Sequence, residues 1–239
     1  MADADDRAAG ERAVTRVAFL HGLVPPTDSD PFVAALADAG LDVFAPTLPG
    51  FADITDTDDL RDVHDLALWA DDALEAEGLD DAVVIGHSFG GMIAAELAAH
   101  VPKRVGKLVL VDALGLWADD DPVFDIFRVF PLGLNDVIFA DAPPNDAETL
   151  SGLVAGMTTV GKYLWPLPDK GLARRLRRIS AETLVLWGAK DKVMSSRYAD
   201  RLAAGIPRAR TQVIDDAGHM LPYERTAEVV EAITAFLQP

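Results

Sequence analysis

Three side chains far apart in the sequence have the types and settings of an acyl-transfer site: Ser88, Asp191 and His219. A serine hydroxyl is a poor nucleophile until a base takes its proton, and the base needs a third group to orient it. Ser88 is the centre of Gly86-His-Ser-Phe-Gly-Gly91, and His219 lies in Asp216-Ala-Gly-His-Met-Leu-Pro-Tyr-Glu224 beside a glycine that permits a tight approach. Asp191 lies in Leu186-Trp-Gly-Ala-Lys-Asp-Lys-Val193, past the end of an apolar run. The order Ser88, Asp191, His219 is that of nucleophile, acid and base in a strand–turn–helix geometry. Asp112 also ends a strand-like run and stays open as a second candidate for the acid. Asp215 and Asp216 are too close to His219 in sequence for a short loop to bring a carboxylate round to its Nδ1. Of the other histidines, His64 is mid-helix, His100 ends a helix, and His21 and His87 neighbour the glycines of their turns.

These residues work only if the chain positions them. Ala82 to Ile85 is uncharged and rich in β-branched residues, as in a strand buried on both faces, and Met92 to Ala99 reads as a helix. A strand passing directly into a helix needs a sharp turn, and Gly86 and Gly90 remove the Cβ atoms that would clash there. Ser88 at the apex is predicted to be strained, with its hydroxyl above the sheet. The N–H of Phe89, at the start of the helix, is then a natural oxyanion donor. The second donor is expected from His21-Gly-Leu-Val-Pro-Pro26. Its prolines have no N–H, which favours Leu23, with Val24 behind it.

Around this unit, strands are predicted at Val14–Leu20, Leu41–Ala45, Lys107–Asp112, Thr183–Trp187 and Thr211–Ile214. Helices are predicted at Pro31–Ala39, Asp59–Glu77, Arg197–Ala204 and Ala227–Leu237. The alternation implies an α/β fold with a mostly parallel sheet and helices on both faces. It breaks between about Leu116 and Arg178, where amphipathic pieces at Pro122–Phe130, Asn135–Phe139, Ala147–Thr158 and Leu172–Ile179 are separated by turn residues. The expected organisation is an acidic mobile tail (1–12), a core (13–115 and 180–239) and an inserted helical cap (116–179). Phe127 and Trp165 in the cap are candidate pocket residues. The run Arg174-Arg175 with Arg177-Arg178 reads as a solvated helix face or an anion site.

The composition narrows the classes. A net charge of −18 argues against nucleic acid as a partner. It reads as a solvated acidic surface or as adaptation to high salt. No run of 18 apolar residues suits a membrane span, and residues 1–12 lack the apolar segment of a signal peptide. The absence of cysteine excludes disulfides and thiolate chemistry and is compatible with the cytoplasm. No metal-ligand spacing and no G-x-G-x-x-G after a strand is seen, so neither metal nor cofactor is expected.

With Gly86-His-Ser-Phe-Gly-Gly91, Lys107-Leu-Val-Leu-Val-Asp112, Leu184-Val-Leu-Trp-Gly188 and Gly218-His219 taken together, the chain resembles the α/β-hydrolase superfamily from His21 to the C-terminus. The resemblance implies Ser88 as nucleophile, Asp191 as acid, His219 as base and a helical cap over the site. Asp112-Ala-Leu-Gly-Leu-Trp117 resembles the branch holding carboxylesterases, lactonases and carbon–carbon bond hydrolases. Serine, not aspartate, at the nucleophile position disfavours dehalogenases and epoxide hydrolases. Met220 stands where the carbon–carbon hydrolases usually carry Trp. The sequence before Val14 is too short for the extra hairpin common in the superfamily, so one or two early strands of the eight-stranded core are expected to be missing. The expected reaction is hydrolysis of a small to medium apolar ester or lactone. The alternatives are carbon–carbon bond hydrolysis of a diketone acid and a triad-bearing small-molecule receptor.

Overall fold

The computed structural model describes residues 14–141, 147–165 and 169–238. The predicted tail (1–12) lies outside the described residues. In chain order the elements are β1 (Thr15–Leu20), α1 (Pro31–Asp38), β2 (Leu41–Phe44), α2 (Val63–Ala76), β3 (Ala82–His87), α3 (Phe89–His100) and β4 (Val105–Val111). Then come α4 (Leu134–Ile138), α5 (Ala147–Leu164), β5 (Glu182–Gly188), α6 (Arg197–Gly205), β6 (Ala209–Ile214), α7 (Leu221–Glu224) and α8 (Thr226–Leu237).

The strands form one six-stranded sheet in the order β2-β1-β3-β4-β5-β6, every pair parallel. Alternate residues face opposite layers, as the period of two requires. Val17, Phe19, Ile85, Val109 and Leu186 are buried with residues of α1 and α8, whereas Ala18, Leu20, Val84, Leu108 and Leu110 are buried with residues of α2, α3 and α6. The described residues form six strands.

Two expectations need correction. The long helix starts at Val63, not Asp59, because the Asp62 side chain accepts from the N–H groups of His64 and Asp65 and caps the helix there. Leu60, counted in its apolar stripe, precedes the helix and still packs against the core. In the inserted stretch, 122–130 and 172–179 are not α-helical. They hold 3-10 turns at Ile126–Arg128, Leu172–Arg174 and Leu176–Arg178, while α5 runs on to Leu164, beyond the predicted Thr158. No strand lies between β4 and β5 among the described residues.

Candidate active site

β3 runs at the centre of the sheet and passes into α3 through Ser88 alone. Ser88 has φ +53° and ψ −114°, a conformation that L-residues rarely hold. The two glycines that the turn demands are where they were expected. A Cβ at Gly86 would meet the Gly90 carbonyl oxygen at 2.6 Å, and one at Gly90 would meet the Leu20 carbonyl oxygen at 2.1 Å. The turn is tied to its neighbour strand by the bond from Ser88 N–H to the Val111 carbonyl (2.9 Å).

The Ser88 hydroxyl donates to His219 Nε2 at 2.7 Å, and His219 Nδ1 donates to Asp191 Oδ2 at 2.8 Å. The carboxylate can only accept from Nδ1, so Nε2 is left as the acceptor facing the serine. Asp191 Oδ1 accepts from the N–H groups of Val193 (2.7 Å) and Met194 (3.0 Å), which fixes the carboxylate in the loop after β5. All three side chains are buried. Asp112 is fully buried and takes another position: its Oδ1 accepts from Gly188 N–H at 2.8 Å, and its Oδ2 is buried with no hydrogen-bond partner. Burial, together with the nearby Asp191 charge, holds its pKa well above the ordinary carboxylate range. Asp216 is exposed and pairs with Lys190.

Leu23 and Phe89 line the same small cavity as Ser88 and His219. Phe89 is the first residue of α3, where an N–H has no partner within the helix. The inserted stretch contributes Ile126, Ile138 and Val160 to this cavity, which measures about 20 Å³. Phe127 and Trp165 are not among its lining residues. They meet edge-to-face with ring centroids 5.5 Å apart, and Trp165 is 56% exposed. The tight 3-10 turn directs Ile126, the residue beside Phe127, inward instead.

Three residues with no role assigned from the sequence lie around Ser88 and His219. His87 Nε2–H donates to the carbonyl of His219 (2.8 Å). Burial, with His219 and His21 nearby, lowers its pKa to about 3, so the ring is neutral. His21 donates from Nδ1 to the Gly22 carbonyl and accepts at Nε2 from Leu48 N–H, each at 2.9 Å. Burial lowers its pKa to about 4. Glu224 accepts from Gly218 N–H (2.9 Å) and Ala140 N–H (2.8 Å), joining the His219 loop to the inserted stretch. The signal available for His21 and His87 was their place beside strand-end glycines.

A profile of the alpha/beta hydrolase family matches residues 17–232. The chain belongs to this family. Among relatives of this α/β-hydrolase, a 2-hydroxy-6-oxo-6-phenylhexa-2,4-dienoate hydrolase of Burkholderia cepacia is 30% identical over 219 residues, covering 81% of this chain and 74% of that protein. The enzyme of the same name from Comamonas testosteroni is 28% identical over 230 residues, covering 86% of this chain and 80% of that protein. Two solved structures share the hydrolase fold. A meta-cleavage product hydrolase from Pseudomonas fluorescens IP01 has a TM-score of 0.75 at 20% identity, with 93% of this chain and 90% of that one covered. Naproxen esterase from Bacillus subtilis has a TM-score of 0.69 at 19% identity, with 96% and 85% covered. Among the described residues, no helix is long and apolar enough to cross a membrane.

Proposed function

We propose that this α/β-hydrolase cleaves a small to medium apolar ester or lactone through an acyl-enzyme. His219 takes the proton of Ser88 as its oxygen attacks the carbonyl. Asp191 holds the imidazole and stabilises its charged form, and the N–H groups of Phe89 and Leu23 hold the oxyanion. The protonated His219 then gives its proton to the leaving alkoxide, and water, deprotonated by the same ring, releases the acid. Residues 116–179 serve as the cap and 13–115 with 180–239 as the core. No nucleic acid or cofactor enters this reading.

The observation that carries it is the Ser88–His219–Asp191 chain of 2.7 and 2.8 Å opening on a cavity whose other lining residues are apolar. The names of the curated relatives favour a second reading, carbon–carbon bond hydrolysis of a diketone acid. Such a substrate carries a carboxylate that calls for a cationic partner, and no lysine or arginine is among the residues lining the cavity. The test is a panel of p-nitrophenyl esters of increasing acyl length, simple lactones and a 2-hydroxy-6-oxo-dienoate. Steady turnover of esters or lactones with an initial burst is expected. A kcat/KM for the dienoate exceeding that of every ester and lactone would replace the first reading by the second.

A further inference from the structure

At the end of α3 away from Ser88, three possible metal ligands from two helices converge. Glu96 and His100 stand one turn apart on α3 and share a face, and His64 comes from the first turn of α2, packed alongside. The Glu96 side chain is fully buried, while both imidazoles are 35% exposed. The carboxylate is thus a floor and the two rings a rim open to solvent. His64 Nδ1 lies 3.8 Å and His100 Nδ1 3.6 Å from Glu96 Oε2, and one ligand atom from each residue falls within 4.8 Å of the others. These separations are too long for hydrogen bonds. Around a tetrahedral Zn²⁺ with bonds of 2.0–2.2 Å, donors stand roughly 3.4 Å apart, a contraction of a few tenths of an ångström for each imidazole–carboxylate separation and of at most about 1.4 Å between the two imidazoles.

Two further observations point the same way. His64 Nδ1 is buried without a hydrogen-bond partner, an unfavourable state that a bound cation would remove. The carboxylate is also already oriented from behind. Arg175 donates to Glu96 Oε2 from Nε (2.7 Å) and to Oε1 from Nη2 (2.6 Å), and each carboxylate oxygen keeps another lone pair. The guanidinium charge opposes a cation locally, whereas the net charge of −18 on the chain favours one. His100 Nδ1–H donates to the Glu96 carbonyl at 2.8 Å. On ligation the ring carries its proton on Nε2 and exchanges that hydrogen bond for the metal bond.

We propose that His64, Glu96 and His100 bind one divalent transition-metal ion of the zinc type, with water completing its shell. Two imidazoles and one carboxylate select Zn²⁺, Co²⁺ or Ni²⁺ over Mg²⁺ and Ca²⁺. The ion would brace α2 against α3 and, through Arg175, against the turns at 172–178. It is structural rather than catalytic, because Glu96 is eight residues along the helix from Ser88, about 12 Å at the helical rise.

The test uses full-length protein without a histidine tag, titrated with Zn²⁺ by calorimetry and with Co²⁺ by visible absorption. One saturable equivalent of each is expected, with no response to Ca²⁺. His64→Ala and His100→Ala should each weaken binding by about tenfold or more, and the double variant should abolish it. Glu96→Gln would leave Arg175 without its partner, so the half-exposed histidines carry the test, with circular dichroism verifying their fold. Absence of a saturable equivalent in the wild type, or unchanged affinity in the folded double variant, would overturn the proposal.

Discussion

At the strand ends, hydrogen bonds between side chains and main-chain groups hold the site. Asp191 is fixed by two N–H groups of its own loop, Asp112 by Gly188 N–H, and the His219 loop by His87 and Glu224 acting on its carbonyl and on Gly218. The inserted stretch has main-chain ties too, from Phe124 N–H to the Val193 carbonyl and from Met220 N–H to the Ile138 carbonyl. It adds to them side chains that reach across to the core: Arg175 to Glu96, Arg178 to the Ala99 carbonyl, Lys162 to Thr57 and Thr159 to the Gly50 carbonyl. Leu132 and Trp165 remain 72% and 56% exposed on its surface. Main-chain fixation gives positions that tolerate little movement, which chemistry needs. Long side-chain attachments hold less rigidly than main-chain bonds, because the side chains keep rotamer freedom. A cavity of about 20 Å³ holds a water molecule, not an ester. Under the proposed function, substrate entry needs this cavity to widen, and its walls on the inserted stretch are Ile126, Ile138 and Val160.

This contrast can be broken at several points. Ser88→Ala should lower turnover on the order of 10³-fold or more, and Asp191→Asn by 10²- to 10⁴-fold with KM little changed. Asp112→Asn should cost far less. Equal losses in Asp112→Asn and Asp191→Asn, in folded variants, would mean that the acid is not held by one loop alone.

On the other side of the contrast, Arg175→Met should leave turnover nearly intact but destabilise the protein by about 3–5 kcal/mol, since it strands the buried Glu96 charge. The surface pair Arg16–Asp42, exposed on both sides, should contribute no more than about 1 kcal/mol. Denaturant midpoints of Arg175→Met and Arg16→Met compare them directly, and equal shifts would refute the anchoring role.

Gly156 lies where the two regions touch. A Cβ there would come within 1.9 Å of the Leu23 carbonyl oxygen. Glycine inside a helix costs about 1 kcal/mol relative to alanine, so the close approach is the reason for it. Gly156→Ala should displace the Leu23 backbone and lower kcat by about tenfold. A change confined to KM would assign this contact to pocket shape rather than to the oxyanion donor.

The smaller effect is a pH dependence. His21 and His87 have folded pKa values below the ordinary value of 6.5, so the unfolded chain binds more protons and stability falls as pH drops from 6.5 towards about 4 and 3. Asp112 acts in the opposite sense. Its raised folded pKa adds stability as pH falls through that value towards 3.8. The two histidines and Asp112 therefore oppose one another on the acid side. Asp112→Asn removes the offset and should make the loss of stability with falling pH steeper in urea titrations.

Much of this was legible in the sequence because it is written locally. Apolar runs, strand-end glycines and the position of His219 mark the parallel sheet and the convergence of Ser88, Asp191 and His219. What escaped depends on side-chain direction or on distant partners. The choice of Ile126 over Phe127 at the cavity follows from turn geometry, and the approach of His64 to Glu96 from helix packing. Of the arginine run, Arg175 and Arg178 are anchors rather than a solvated face or an anion site, and their partners Glu96 and Ala99 lie far away in sequence. The helix start at Val63 was obscured because Asp59, Asp62 and Asp65 are all plausible caps by type.

The positive φ of Ser88 sets stability against function in selection. Glycine is the residue that this backbone position accepts without strain. Ser88→Gly and Ser88→Ala both lose the hydroxyl, but only alanine keeps the strain of 1–3 kcal/mol. The glycine variant should therefore melt higher than the alanine variant by about 1 kcal/mol of stability, the reverse of the usual order. A lineage freed from the need to hydrolyse its substrate, or a design procedure scoring stability alone, would drift towards glycine here. Replacement of the serine by glycine would therefore mark a lineage in which the hydroxyl is no longer used.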